Sequence, residues 1–245
     1  MTISKQLIDS LRQAKLIVVM TGAGVSAESG VPTFRDAQTG LWAQYDPTEL
    51  ATPQAFQRNP QLVWDWYKMR LGMIEVVAPN AGHYALAEMA QKGPRVALIT
   101  QNIDSLHQMA GSEDVIELHG NIRRTKCFDR GHRFDGWPDD SAEKPPKCEL
   151  CGSLMRPDVV WFGEGLPYSS LETAALLAAE CDVFFSIGTS SVVQPAASLA
   201  VRALQAGGTV VEINPNDTPL TPHAQFVVQR PSGEFLPELV AETWG

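Results

Sequence analysis

The stretch Lys15-Leu-Ile-Val-Val-Met-Thr-Gly-Ala-Gly24 constrains the fold more than any other feature of the chain. A continuous apolar run that is rich in β-branched residues cannot leave every second side chain in water. It therefore suits a strand covered on both faces. The two glycines that follow let the backbone turn sharply out of that strand. Similar runs recur at Arg95–Gln101, Val115–Gly120, Cys181–Ser190 and Gly208–Pro215, and Phe226–Gln229 adds a short strand. Helical patterns separate them at 81–91, 170–180, 194–206 and 233–243, with a brief helix after Asn102. The N-terminal segment is amphipathic, with Leu7, Ile8 and Leu11 on one side. Strands alternating with helices predict an α/β fold with a doubly wound, Rossmann-like parallel sheet.

Two segments break the rhythm. Residues 37–79 are helical and aromatic-rich, with Trp42, Phe56, Trp64, Trp66 and Tyr67; residues 122–158 are polar and hold three of the four cysteines. The expected organisation is a nucleotide-binding domain of residues 1–36, 80–121 and 159–245. A smaller module of helical and zinc-ribbon-like insertions, 37–79 and 122–158, would accompany it.

Bulk properties exclude some roles. A net charge of −9, with one short basic cluster at Arg123, Arg124 and Lys126, argues against nucleic-acid binding. No apolar run is long enough for a membrane span, and the first residues lack a signal-peptide pattern. Four cysteines clustered toward one segment suit a reducing compartment, so a cytoplasmic monomer is expected.

Four motifs carry chemistry. Gly22-Ala-Gly24-Val-Ser-Ala27 fits the glycine pattern that brings backbone close to a pyrophosphate, or simply a tight strand–helix turn. Gln101-Asn-Ile-Asp104 lies at a strand's carboxyl end, where open α/β sheets bind ligands. Asp104 could equally be a helix N-cap. His119 shares that edge and is suited to general-base work, whereas His83, His107 and His223 stand apart. Cys148-Glu-Leu-Cys151 with Cys127 gives three of four zinc thiolates; either Asp129 or His132 completes the set, or there is no fourth ligand and the metal is weak or lost. Cys181 reads as a core residue.

Taken together, Gly22 to Asp36, Thr100-Gln-Asn-Ile-Asp104-Ser105, Leu118-His-Gly-Asn121, Cys148-x-x-Cys151, Trp161-Phe-Gly-Glu-Gly165, Gly188-Thr-Ser190 and Glu212-Ile-Asn-Pro215 resemble the sirtuins over nearly the whole chain. Within that family the sequence looks most like bacterial, desuccinylase-type members, which carry the Tyr-x-x-Arg seen here at Tyr67 and Arg70. The resemblance implies an NAD-dependent protein lysine deacylase, acting on acetyl, succinyl or malonyl groups of protein substrates and releasing nicotinamide and O-acyl-ADP-ribose. It implies that the acyl oxygen attacks C1′ of the ribose, with His119 as general base and Asn102 as its catalytic companion. It places NAD on Gly22, Ala23, Gly24, Ala27, Phe34, Arg35, Gln101, Asn102, Ile103, Asp104, Gly188, Thr189, Ser190, Asn214 and Pro215. The acyl-lysine would lie on Val160, Trp161, Phe162, Gly163 and Glu164, with the peptide added as a strand, and Tyr67 and Arg70 would hold an acyl carboxylate. Zinc would sit on Cys127, Cys148 and Cys151. Two other readings fit the same fold: a mono-ADP-ribosyltransferase and a silent NAD-binding module.

Overall fold

The computed structural model describes residues 3–31, 46–138 and 145–245. The chain runs through α1 (Lys5–Gln13), β1 (Leu16–Thr21) and α2 (Ala23–Ala27). It continues through α3 (Pro47–Leu50), α4 (Pro53–Arg58), α5 (Pro60–Glu75), α6 (Ala81–Lys92), β2 (Arg95–Thr100) and α7 (Leu106–Met109). Then come β3 (Ile116–Glu117), β4 (Gly120–Cys127), β5 (Arg133–Asp135), β6 (Met155–Val159), α8 (Tyr168–Glu180) and β7 (Val183–Ile187). The chain ends with α9 (Ser198–Gln205), β8 (Thr209–Ile213), β9 (Phe226–Val228) and α10 (Ser232–Trp244).

Among the described residues, six strands form one sheet in the order β3-β2-β1-β7-β8-β9, every neighbouring pair parallel. Counting only these strands along the chain, the order is 3-2-1-4-5-6, the doubly wound arrangement with its reversal between β1 and β7. Strand geometry explains why β1 had to be apolar throughout. Ile17 and Val19 point into a core built with α1, α6 and α10, while Leu16, Val18 and Met20 point into one built with α8 and α9. Leu7 and Leu11, one helical turn apart on α1, are buried in the first of these cores. Each stabilises the fold by about 1.5–3 kcal/mol. The apolar run at Val115–Gly120 contributes only two ladder residues, because His119 and Gly120 already leave the sheet toward β4.

Residues 122–158 show little periodicity in sequence. They supply most of a second, three-stranded antiparallel sheet, β5-β4-β6. Its strands are irregular, with a register shift between Asn121 and Thr125, and mix charged with apolar residues, so no simple alternation marks them. The helical insertion packs onto this sheet. Phe56, Val63, Trp66, Tyr67, Leu71 and Ile74 share one buried cluster with Ile122, Val159 and Trp161. Helix α5 is set by Pro60 in its first turn and by Asn59, whose side chain accepts from Leu62 N–H at 3.1 Å. No helix among the described residues is long and apolar enough to cross a membrane.

Candidate active site

The sheet reversal brings two loops together at the carboxyl ends of β1 and β7. Gly22 N–H donates to Ile187 O (2.9 Å) and Gly24 N–H to Gly188 O (2.8 Å). A Cβ at Gly24 would lie 2.6 Å from Gly188 Cα, and Gly188 itself has φ +60°. The glycines are therefore required first by this loop-on-loop contact, which holds the start of α2 open at the crevice. Ala23 and Ala27 are exposed there, Thr189 is buried, and Asn214 Nδ2 donates to Thr189 O at 2.8 Å. Ser190 and Pro215 are exposed on the same loops.

His119 is half-buried where β3 leaves the sheet. Its Nδ1 lies 2.9 Å from the carbonyl oxygen of Gln101. A carbonyl only accepts, so Nδ1 carries the proton and Nε2 keeps its lone pair. Burial lowers the imidazole's pKa below its ordinary value, and the bond to Gln101 opposes that shift.

Beneath Asn102 and Asp104 lies a buried polar network that sequence spacing did not reveal. Asn102 Nδ2 donates to Gly22 O and to Ser26 Oγ, both at 3.0 Å. Ser26 Oγ donates to Asp104 Oδ2 at 2.8 Å, and Asp104 Oδ1 accepts from Leu106 N–H at 2.9 Å. Asn80 N–H donates to His83 Nδ1 (3.3 Å), so neutral His83 carries its proton on Nε2, which lies 3.4 Å from Ser26 Oγ. Both protons of the Asn102 amide are thus spent inward, and its oxygen is the end left for a ligand. Asp104 is buried with both oxygens engaged, and burial raises its pKa. It caps α7 from one position before the Ser105 N-cap.

The expectation that His83 and His107 stand apart is overturned. Both are buried, their ring centroids are 4.8 Å apart, and His107 Nε2 lies 2.9 Å from Thr21 Oγ1. They lie 24 residues apart in sequence but on α6 and α7, which meet in the fold, and spacing alone could not reveal that. Burial pushes the pKa of His83 down to about 4 and that of His107 to about 3. His223 is exposed and remains apart.

The aromatic side of the site comes from α5 and the loop after β6. Tyr67 and Arg70 are buried. The Arg70 guanidinium carbon is 5.2 Å from the Trp66 ring centroid, and a small cavity lined by Val31, Arg70, Met73 and Ile74 opens beside it. Burial raises the Tyr67 pKa, which keeps the phenol protonated, and lowers that of Arg70. Trp161 is buried against Phe56 and Tyr67, at 5.3 and 6.4 Å between ring centroids, while Phe162 is exposed. Val160 N–H donates to His119 O and Phe162 N–H to Ala51 O, each at 2.9 Å. Glu164 N–H donates to Trp161 O, and Gly163 adopts φ +86°. The loop is therefore a turn that uses most of its own N–H groups. A peptide strand added here would draw on its carbonyls and on Gly163, a narrower edge than the sequence suggested.

Phe34 and Arg35 lie outside the described residues. A separate cavity of about 300 Å³, lined in part by Glu117, Gly120, Arg124, Arg133 and Ser169, lies against β3 and is lined by none of Gly22–Gly24, Gln101–Asp104 or Gly188–Ser190. Arg124 and Arg133 are engaged there by Glu117 and Asp158.

The second sheet gathers Cys127, His132, Cys148 and Cys151, whose ligand atoms all lie within 4.8 Å of one another. Cys127 and Cys151 Sγ are 3.6 Å apart, as are Cys148 Sγ and His132 Nδ1. Tetrahedral zinc with ordinary Zn–S and Zn–N bonds requires edges of about 3.8 Å for S–S and about 3.6 Å for S–N. The donor set therefore fits zinc, with His132 in the place of the missing thiolate. Asp129 uses its N–H on Ser153 Oγ and is not part of the cluster.

The profile of the Sir2 family matches residues 22–195. The chain belongs to the Sir2 family. Curated Sir2 relatives include NAD-dependent protein deacylase 1 of Archaeoglobus fulgidus, 47% identical over 96% of both chains. Another, from Caldanaerobacter subterraneus, is 50% identical over 94% of this chain and 95% of its own. Among solved structures, a Sir2 homologue–NAD complex superposes with a TM-score of 0.93 at 46% identity, covering 99% of this chain and 94% of that one. A Sir2–p53 peptide–NAD+ complex gives 0.86 at 33% identity, covering 99% and 98%.

Proposed function

We propose that this Sir2 enzyme removes acyl groups from protein lysines at the expense of NAD. The observation that carries the reading is His119, with its Nδ1 proton held by Gln101 O and Nε2 left basic at the carboxyl edge of the sheet. Bound NAD would supply an electrophilic ribose carbon with nicotinamide as its leaving group. Nε2 of His119 would accept a proton from a ribose hydroxyl; its lowered pKa keeps it unprotonated at neutral pH. Asn102, with its two protons tied to Gly22 and Ser26, would offer its oxygen to a ribose hydroxyl or an ordered water. Asp104 would act on the carboxamide through a rearrangement that frees one of its oxygens. Gly22, Ala23, Gly24 and Ala27 would face the pyrophosphate, with Gly188, Thr189, Ser190, Asn214 and Pro215 toward the adenosine. Phe34, Arg35 and Ile103 would complete the cover.

Tyr67 and Arg70 favour acidic acyl chains. A buried guanidinium next to a protonated phenol suits a carboxylate, so succinyl and malonyl groups would be handled alongside acetyl. Cys127, Cys148, Cys151 and His132 would hold zinc as a structural cross-link of the small module (37–79 and 122–158) beside the nucleotide-binding domain (1–36, 80–121 and 159–245). A monomer working in the cytoplasm on acylated proteins fits the reading.

The test is nicotinamide release from NAD with and without an acyl-lysine peptide, with the products weighed by mass spectrometry. Release that depends on the acyl group, with the acyl recovered on ADP-ribose, is expected. Release without it, with ADP-ribose transferred to protein, would mean a transferase instead. No release with binding intact would mean a silent module.

A further inference from the structure

Arg156 lies on β6, whose five residues are all buried, eight positions before Glu164 on the loop that carries Trp161 and Phe162. Its NH1 donates to Glu164 Oε1 at 2.6 Å. Its NH2 donates to Glu164 Oε2 at 2.9 Å and to Val159 O at 2.8 Å. Glu164 Oε2 also accepts from Trp161 N–H at 2.8 Å. The guanidinium carbon stands 3.2 Å from the Trp161 ring centroid. One arginine thus grips the loop twice, by a bidentate carboxylate pair and by lying flat on its aromatic ring.

The loop has no ladder of its own to hold this shape. Its turn is fixed at Gly163, and it is also anchored by Val160 N–H on His119 O and Phe162 N–H on Ala51 O. Glu164, which the sequence resemblance assigns to substrate, is instead turned inward. The other side of Trp161 packs on Phe56 and Tyr67, the aromatic wall that leads to Arg70. A shift of Trp161 would move both the peptide loop and the acyl wall, but none of the glycine loops at the sheet reversal.

We infer that Arg156 and Glu164 are positioning residues for the acyl-lysine channel, with Arg156 fixing the Trp161 ring and the peptide-facing turn without touching substrate. The inference rests on the deacylase reading and specifies which residues shape its peptide side. A lysine at 156 keeps the charge but loses the fork and the flat stacking face.

The experiment is steady-state kinetics of wild type, Arg156→Lys and Glu164→Gln, varying an acetyl-lysine peptide and NAD separately, with Tm recorded for each protein. The expected result is a peptide KM raised about tenfold in Arg156→Lys, a loss of about 1.4 kcal/mol of peptide binding. A smaller rise is expected in Glu164→Gln, and the NAD KM should stay within about twofold in both. Parallel rises in both KM values would overturn the inference, as would unchanged peptide KM in either folded variant. If Arg156→Lys does not fold, Glu164→Gln decides alone, since its amide can still accept from one side of the fork. Wild type that never turns over acyl peptide would defeat the deacylase reading itself, a result separate from any difference between variants.

Discussion

The two ends of the site are built from opposite materials. At the sheet reversal the groups are small and polar: Ser26, Asn102, Asp104, Thr21 and the two buried histidines, linked by hydrogen bonds whose donors and acceptors can be assigned one by one. At the aromatic end the groups are large rings, with the cations Arg70 and Arg156 beside Trp66 and Trp161. The first end is stiff because most of its buried polar atoms are held by particular partners once water is excluded, with His107 Nδ1 an exception. The second is shaped by packing of rings and by the Arg156 grip on Trp161.

The sharpest way to break this comparison is at the polar end. Replacing His119 by Ala should lower kcat/KM by about 10²- to 10⁴-fold for every acyl group alike. A variant that lost only one acyl activity would place His119 on the substrate side instead. The acid limb of the wild-type pH–kcat/KM profile should fall below the ordinary histidine value, because burial lowers the pKa of His119 and the rate rises as the base loses its proton. A midpoint above 6.5 would contradict the assigned environment.

The cysteine–histidine cluster bears on the aromatic end, whose helices pack on the same sheet. Removing zinc by chelation, or replacing His132 by Ala, should lower Tm by on the order of 10 °C. His132→Cys should retain the metal, read directly by elemental analysis. Full zinc content in His132→Ala would remove His132 from the ligand set.

A smaller effect concerns the buried histidines. Their folded pKa values, about 4 for His83 and about 3 for His107, lie below those of the unfolded chain. The unfolded state therefore binds more protons below about pH 6.5. Stability should be fully present above that pH and fall as the solution is acidified toward pH 4. Urea unfolding from pH 7 to pH 4.5 should show this slope, and His83→Asn should flatten it. An unchanged slope in that variant would mean that other groups govern the acid limb.

How much of this was legible in the sequence follows from the same contrast. The parallel sheet was readable because β1, β2, β7 and β8 had to be apolar on both faces, and their run lengths mark them. The glycine loop, Asn102 and His119 were readable because each sits where a strand ends. The antiparallel sheet was not, since Arg124, Lys126 and Arg156 lie in its strands. Arg124 and Lys126 are neutralised by Asp158, and Arg156 is paired with Glu164; the sequence keeps these partners far apart. The pairing of His83 with His107 and the inward turn of Glu164 were hidden for the same reason. Both are contacts between elements, and no local period encodes them. For the fourth metal ligand the sequence left Asp129, His132 or none, and the fold gathers His132, not Asp129, with the three thiols.

The most direct measurement compares kcat/KM for succinyl-lysine and acetyl-lysine forms of one peptide, at saturating NAD, in wild type and in Arg70→Met. Wild type should process both and favour succinyl. Loss of a charge-assisted pair of about 1.5–3 kcal/mol should lower desuccinylation about 10- to 100-fold while deacetylation stays within about threefold. A wild-type preference for acetyl, or an equal fall in both activities, would contradict the assignment of Tyr67 and Arg70 to an acyl carboxylate and leave them as part of the aromatic wall alone.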